Sequence, residues 1–305
     1  MNHIISARQF KKEDLEKVLA RAAEMEAQCK SGKVEKLLKD KIIASIFFEP
    51  STRTRLSFET AALKLGAQVI SAENAMENTS TYKGETIEDT TKILCSYADA
   101  IVMRHPMAGA VEAASKVSIK PILNAGDGAN EHPSQGFLDL YTIKKEQGKL
   151  TNLHIGFGGD LLNSRTLRSL LPFLRFYEGN TFYFISSKEL ELPRDFIKDL
   201  KDNNVSYEEL RSLEEALPKL DVLYMTRVQK ERFPDANQYE KVKNLFILRK
   251  EHLKMLRKNA IIMHPLPKIN EIEREVDADP RAAYFREAEN GLYVRMALLL
   301  HVFGI

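Results

Sequence analysis

The sequence predicts an α/β protein of two domains, each a parallel sheet flanked by helices. Three observations lead there. The chain has 305 residues, about two domains at the usual 100 to 200 residues each. Hydrophobic residues make up 44% and charged residues 29%, the composition of a chain that buries a core rather than of a disordered or collagenous one. Short, nearly continuous apolar runs alternate with longer amphipathic stretches from end to end, as strands buried on both faces do between helices.

An opening helix is expected from Lys12 to Gln28, with Leu15, Val18, Leu19 and Ala22 on one face. Strands follow at Ile42 to Phe48, Ala67 to Ser71, Ala100 to Met103 and Pro121 to Asn124. A second set is read at His154 to Phe157, Phe182 to Ser186, Val222 to Met225 and Ala260 to Met263, so the strands fall into two sets of four. The polar stretch Lys144 to Asn152, carrying Gly148, separates them after a helix that starts around Ser134. The expected domains are therefore residues 1–149 and 150–290. An apolar closing helix, Gly291 to Phe303, contains Arg295, and residues 291–305 are expected to pack back on the first domain.

The net charge of +2 supplies no global field to collect nucleic acid or an anionic membrane, so any anion must be caught by local arginines. No apolar run approaches the roughly 18 residues of a membrane span, and residues 1–10 lack the layout of a secretory signal. The two cysteines, Cys29 and Cys95, lie in amphipathic stretches and fit reduced core thiols, which points to the cytoplasm. Seven histidines and two cysteines form no zinc-like spacing, and neither metal nor cofactor is expected.

The strongest local signal runs from Phe47 to Arg55. A buried strand ends, Pro50 turns the chain, and Ser51, Thr52, Arg53 and Thr54 open a helix on which Phe58, Ala61, Ala62 and Leu65 recur until Gly66. Free N–H groups, the positive end of the helix dipole, hydroxyls and a guanidinium converge there, which suits a phosphoryl group. With its continuation Leu56-Ser57-Phe58-Glu59-Thr60, this stretch resembles the carbamoyl-phosphate signature of the aspartate/ornithine carbamoyltransferase family.

The resemblance extends through further segments along the chain. Arg104-His105-Pro106 follows a strand end, and the family's matching arginine sits on the phosphate and the carbonyl oxygen. In the Gly-rich loop Asn124 to Gln135, the resemblance implies that His132 donates to the carbamoyl carbonyl and that Gln135 holds the carbamoyl NH₂. Ser134 stands where relatives usually have Thr. The segment Glu77 to Thr86 resembles a mobile loop that supplies a serine and a lysine to the neighbouring subunit. Lys83 matches the lysine; Ser80 is the expected hydroxyl, with Thr79 as the alternative.

In the second half, His154 to Asp160 begins like a dinucleotide fingerprint but places Leu161 where the third glycine belongs. Leu161-Leu162-Asn163-Ser164-Arg165-Thr166 instead resembles the family segment whose arginine grips a substrate α-carboxylate, although Leu162 and Asn163 replace a common Lys-Tyr. Arg227 and Gln229 stand two apart at a strand end. A forked guanidinium there suits a side-chain carboxylate rather than an ammonium, which favours the aspartate branch and assigns Arg227 to the β-carboxylate. Met263 to Lys268 resembles the Pro-rich loop in which Leu266 and Pro267 act through their carbonyls, with Lys268 in place of the usual Arg.

The resemblance thus implies a site in the cleft between the domains. It implies transfer of the carbamoyl group of carbamoyl phosphate to the α-amine of L-aspartate, an early step of pyrimidine biosynthesis. Arg53, Thr54, Arg104, His132 and Lys83 are the catalytic candidates. Ser51, Thr52, Ser80, Gln135, Leu266 and Pro267 join them on carbamoyl phosphate, and Lys83, Arg165, Arg227, Gln229 and Leu266 are placed on aspartate. It also implies homotrimers with shared sites, and leaves open a separate regulatory chain. The rival readings are an ornithine-specific enzyme, a catalytically silent carbamoyl-phosphate-binding relative, and an NAD enzyme.

Overall fold

The computed structural model describes residues 3–75, 84–230, 233 and 235–305. They form two compact units. One comprises the described residues of Met1–Tyr141 with Arg168–Phe173 and Glu289–Ile305; the other comprises those of Thr142–Leu167 and Leu174–Ala288.

The first unit is built on a parallel sheet of β1 (Ile42–Phe47), β2 (Gln68–Glu73), β3 (Ala100–His105) and β4 (Ile122–Asp127) in the order β2-β1-β3-β4. Central β1 and β3, together with β4, are buried almost throughout, as their unbroken apolar runs require. Edge strand β2 is mostly exposed. The other edge is covered by the N-terminal segment, where Ile4 bonds to both Ile122 and Asn124 of β4. A core of Ala44, Ile46, Phe48, Ile101, Met103, Val111 and Ile122 lies against one face.

The second unit has five parallel strands, not the four read from the sequence. They are β5 (His154–Gly159), β6 (Thr181–Ile185), β7 (Ser206–Leu210), β8 (Val222–Thr226) and β9 (Ile261–Met263), in the order β7-β6-β5-β8-β9. The strand missed was β7, Ser-Tyr-Glu-Glu-Leu, an edge strand with no fully buried residue. Its pairing with β6 comes from backbone hydrogen bonds, so no apolar run marks it. Leu213, Leu217, Leu223, Met225, Ile262, Val276 and Tyr284 are part of this unit's core.

Strand order positions the site. In an open parallel sheet, two adjacent strands whose connections leave in opposite directions open a crevice at their carboxyl ends. The first sheet does this between β1 and β3, where Phe47 pairs with Arg104. The second does it between β5 and β8, where Gly159 pairs with Thr226. Helices follow these strands at Thr52–Lys64 after β1, Pro133–Gln147 after β4 and Arg165–Leu174 after β5. The opening helix runs Lys12–Ser31 and ends on Gly32 in the left-handed region; the closing helix begins earlier than expected, at Tyr284, and reaches Phe303. Cys95 is buried, whereas Cys29 is only half-buried beside Met296. Among the described residues, no helix is long and apolar enough to cross a membrane.

Candidate active site

The first crevice is lined by the turn after β1 and the end of β3. Ser51 occupies the N-cap position of Thr52–Lys64, but its side chain does not cap the helix. Its Oγ accepts from Arg104 Nη1 at 3.1 Å instead. Arg104 Nε donates to Glu49 Oε1 at 2.6 Å. The guanidinium is thereby held between two groups of the β1 turn, and the Ser51 side chain leaves the first helical N–H groups uncapped. Thr52 and Arg53 are exposed at this end, while Thr54 is buried.

Buried His132 comes from the loop after β4, with its Nε2 3.4 Å from Thr54 Oγ1 and its Nδ1 3.3 Å from Ser134 Oγ. The loop is held by acids that sequence reading did not single out. Asp127 accepts from Asn124, Asn130 and the Gly109 N–H. Glu131 accepts from Ser6 Oγ and the Ala7 N–H, and burial pushes its carboxyl above the ordinary glutamate range. The His132 N–H donates to Ser169 Oγ at 2.8 Å. Gly128, at φ +54°, lets this loop lie against 106–108; a Cβ there would come within 2.7 Å of the Pro106 carbonyl oxygen.

Behind the crevice lies Arg295, buried, with its guanidinium carbon 5.2 Å from the centroid of the Phe58 ring. Burial pulls it down to about 9, Asp139 opposes that shift, and the positive charges of Arg104 and Arg53 add to it. Arg295 still carries its proton at neutral pH. The positive charges of Arg53 and Arg104 thus bear on buried Arg295.

The second unit places its candidates at the other crevice. Asp160 follows β5, and its carboxylate accepts from the backbone N–H and side-chain amide of Asn163 and from the Gln229 N–H. Burial pushes Asp160 above the ordinary aspartate range, while those bonds and the charge of Arg227 oppose the shift. Gln229 Nε2 also donates to the Asn163 carbonyl at 3.0 Å. The turn carrying Arg165 and the turn carrying Arg227 and Gln229 are thus joined through one buried acid. Gly159, at φ +109°, makes the approach feasible, since a Cβ would lie 2.3 Å from the Thr226 carbonyl oxygen. Both arginines are half-buried.

After β9, Leu266 adopts φ +54°, a costly conformation for a bulky side chain and one found at functional turns. Its N–H donates to His264 Nδ1 at 2.8 Å, and His264 Nε2 lies 2.7 Å from Glu271 Oε1. This pair is almost wholly buried. Burial pushes Glu271 up, but the bond and charge of His264 with backbone N–H donors outweigh it, and its carboxyl sits below the ordinary range. Lys268 Nζ lies 3.1 Å from Asp277 Oδ1. Lys83, Ser80 and Thr79 lie outside the described residues.

The structure therefore brings Ser51 to Arg104 and Thr54 to His132 in one unit, and Gln229 to the Arg165 turn in the other. Sequence reading missed Glu49, Ser169 and Asp160. Each acts across long stretches of chain, and only Asp160, at the end of a Gly-rich turn, carried a local signal.

One parallel α/β unit thus carries a helix start with hydroxyls and Arg104 at its switch point, and the other carries the turns of Arg165 and Arg227 at its own. The model of the aspartate/ornithine carbamoyltransferase carbamoyl-P binding domain matches residues 2–145, and that of the Asp/Orn binding domain matches residues 151–302. The chain belongs to this family. It is 48% identical over 299 residues to the aspartate carbamoyltransferase catalytic subunit of Methanocaldococcus jannaschii, covering 98% of this chain and 97% of that one. Identity to the corresponding subunit of Bacteroides fragilis is 50% over 283 residues, 92% of this chain and 91% of that one. The crystal structure of aspartate transcarbamoylase from Trypanosoma cruzi in complex with carbamoyl phosphate and aspartate superposes with a TM-score of 0.93 at 38% identity, covering 98% and 95% of the two chains.

Proposed function

We infer that this chain transfers the carbamoyl group of carbamoyl phosphate to the α-amine of L-aspartate, giving N-carbamoyl-L-aspartate and phosphate, an early step of pyrimidine biosynthesis. The observation that carries the reading is the first crevice: an uncapped helix N-terminus beside an arginine locked by Glu49 and Ser51. Relatives named for aspartate carbamoyltransferase at about half identity over nearly the whole chain support the choice of acceptor.

In this reading the phosphate of the donor takes the N–H groups of the helix start with Ser51, Thr52, Arg53 and Thr54. Arg104 bridges the phosphate and the carbonyl oxygen. In the tautomer that carries the ring proton on Nε2, that atom donates to the carbonyl oxygen and Nδ1 accepts from Ser134 Oγ, 3.3 Å away. Gln135 and the carbonyls of Leu266 and Pro267 hold the carbamoyl NH₂. Arg165 takes the α-carboxylate of aspartate and Arg227, with Gln229, the β-carboxylate. The neutral amine attacks the carbonyl carbon, and negative charge gathers on the oxygen under Arg53, Thr54, Arg104 and His132. The C–O bond to phosphate then breaks, and the departing phosphate takes the amine proton.

Lys83 and Ser80 are assigned, by resemblance, to a neighbouring subunit's site, which makes the working form a homotrimer. Mixing inactive Lys83→Ala and Arg53→Ala chains would then regenerate some wild-type sites, and verified mixed trimers without activity would remove the shared-site assignment. The cytoplasm is the compartment that suits two unpaired thiols. A colorimetric carbamoylation assay offering L-aspartate and L-ornithine in parallel tests the reaction itself. Carbamoyl-aspartate alone is the expected product, and citrulline would overturn the acceptor assignment.

A further inference from the structure

Gln135 is buried at 7% exposure on the first turn of Pro133–Gln147, and its Nε2 donates at 2.9 Å to Oδ1 of Asp139, one helical turn on. Asp139 is completely buried at 0% exposure. No other hydrogen bond to Gln135's side chain comes from the described residues. An amide has two ends of opposite polarity, Oε1 accepting and Nε2 donating, and nearly identical shape. A rotation about the last side-chain bond exchanges them. What the ligand meets is therefore decided by the neighbour on the far side. An ionised carboxylate only accepts, so Asp139 tolerates only the orientation in which Nε2 faces it and Oε1 faces away. Asp139 and the buried Arg295 cation act on each other through their charges.

We propose that Asp139 is a positioning residue that fixes the polarity of the Gln135 amide, so that the site presents an acceptor to the N–H₂ of the carbamoyl group. It never touches the substrate. Its effect is selectivity for a donor bearing N–H over an isostere bearing methyl at the same place, since with Oε1 outward the amide rewards N–H and gives nothing to CH₃. The inference rests on the assignment of Gln135 to the carbamoyl NH₂, and its test separates the two.

The probes are carbamoyl phosphate and acetyl phosphate, which differ in NH₂ against CH₃, with inorganic phosphate as a control for the cradle. Dissociation constants are measured on the full chain for wild type, Gln135→Ala and Asp139→Asn. In Asp139→Asn the Arg295 charge draws the new amide's oxygen, turning its nitrogen toward Gln135, which then rotates and offers N–H to N–H. The expected result is a preference for carbamoyl over acetyl phosphate that collapses by about 10- to 100-fold with phosphate affinity unchanged. Equal weakening for all three ligands would make Asp139 merely structural and overturn the proposal, as would an unchanged preference while Gln135→Ala loses it. If Gln135→Ala keeps the wild-type preference, the assignment of Gln135 itself fails. Should Asp139→Asn not fold, hydrogen exchange of the Gln135 side-chain amide in wild type decides the matter. A proton bonded to a buried carboxylate exchanges slowly, and exchange as fast as in an exposed glutamine would overturn the proposal.

Discussion

The two switch points share a topology and differ in what fills them. Between β1 and β3 the contents are cationic and hydroxylic: Arg104 clamped by Glu49 and Ser51, an uncapped helix start, and Arg295 behind. Between β5 and β8 the fixed element is an acid, Asp160, around which the turns bearing Arg165 and Arg227 are tied. The first presents a guanidinium clamped by its neighbours; the second ties together the two turns that carry its arginines. Topology decides where a ligand sits, and local chemistry decides which one.

The largest effect should come from breaking the first switch point. Arg104→Ala removes the clamped guanidinium and should lower kcat by about 10²- to 10³-fold, read from steady-state rates at saturating aspartate; a loss below tenfold would remove Arg104 from the group stabilising the oxyanion. Next comes the backbone of the second. Gly159→Ala places a methyl against the Thr226 carbonyl at a left-handed φ and should cost about 3 kcal/mol in denaturant unfolding, with the Arg227 turn displaced and aspartate binding weakened more than phosphate binding. Arg227→Ala sharpens the contrast. It should raise the KM for aspartate by about 10- to 100-fold, the loss of one charge-assisted contact, and leave the dissociation constant of carbamoyl phosphate within about twofold.

The smallest effect concerns pH. Glu271 has a folded-state pKa below its ordinary 4.5, so its contribution to stability is present above about pH 4.5 and is lost as pH falls through the folded value. Glu271→Gln should therefore show a shallower loss of stability than wild type on acidification below about pH 4.5, measured by thermal unfolding. Identical slopes would mean that the His264–Glu271 pair does not set the acid limit of the Leu266 loop.

The fold class and the hydroxyl- and arginine-bearing helix start after β1 were legible because their signals are local. Buried parallel strands must be apolar along their whole length, and a helix that begins on a ligand must open with hydroxyls, arginines and bare N–H groups, all within Phe47 to Arg55. Edge strand β7 was not legible, because Glu208 and Glu209 belong to a strand held by its backbone and facing solvent. The motifs also named Arg104, His132, Arg165 and Arg227 without their supports. Glu49 stands 55 residues from Arg104, Ser169 37 residues from His132, and Asp160 69 residues from Gln229. By itself the sequence determined which segments become the buried strands, where most turns fall and which side chains carry charge, since propensity and apolar period act over a few residues. Only the tertiary structure decided that Ser51 bonds Arg104 instead of capping its helix and that one buried acid joins two loops, because a hydrogen bond at 3 Å depends on which strands lie side by side, and no spacing along the chain encodes that order.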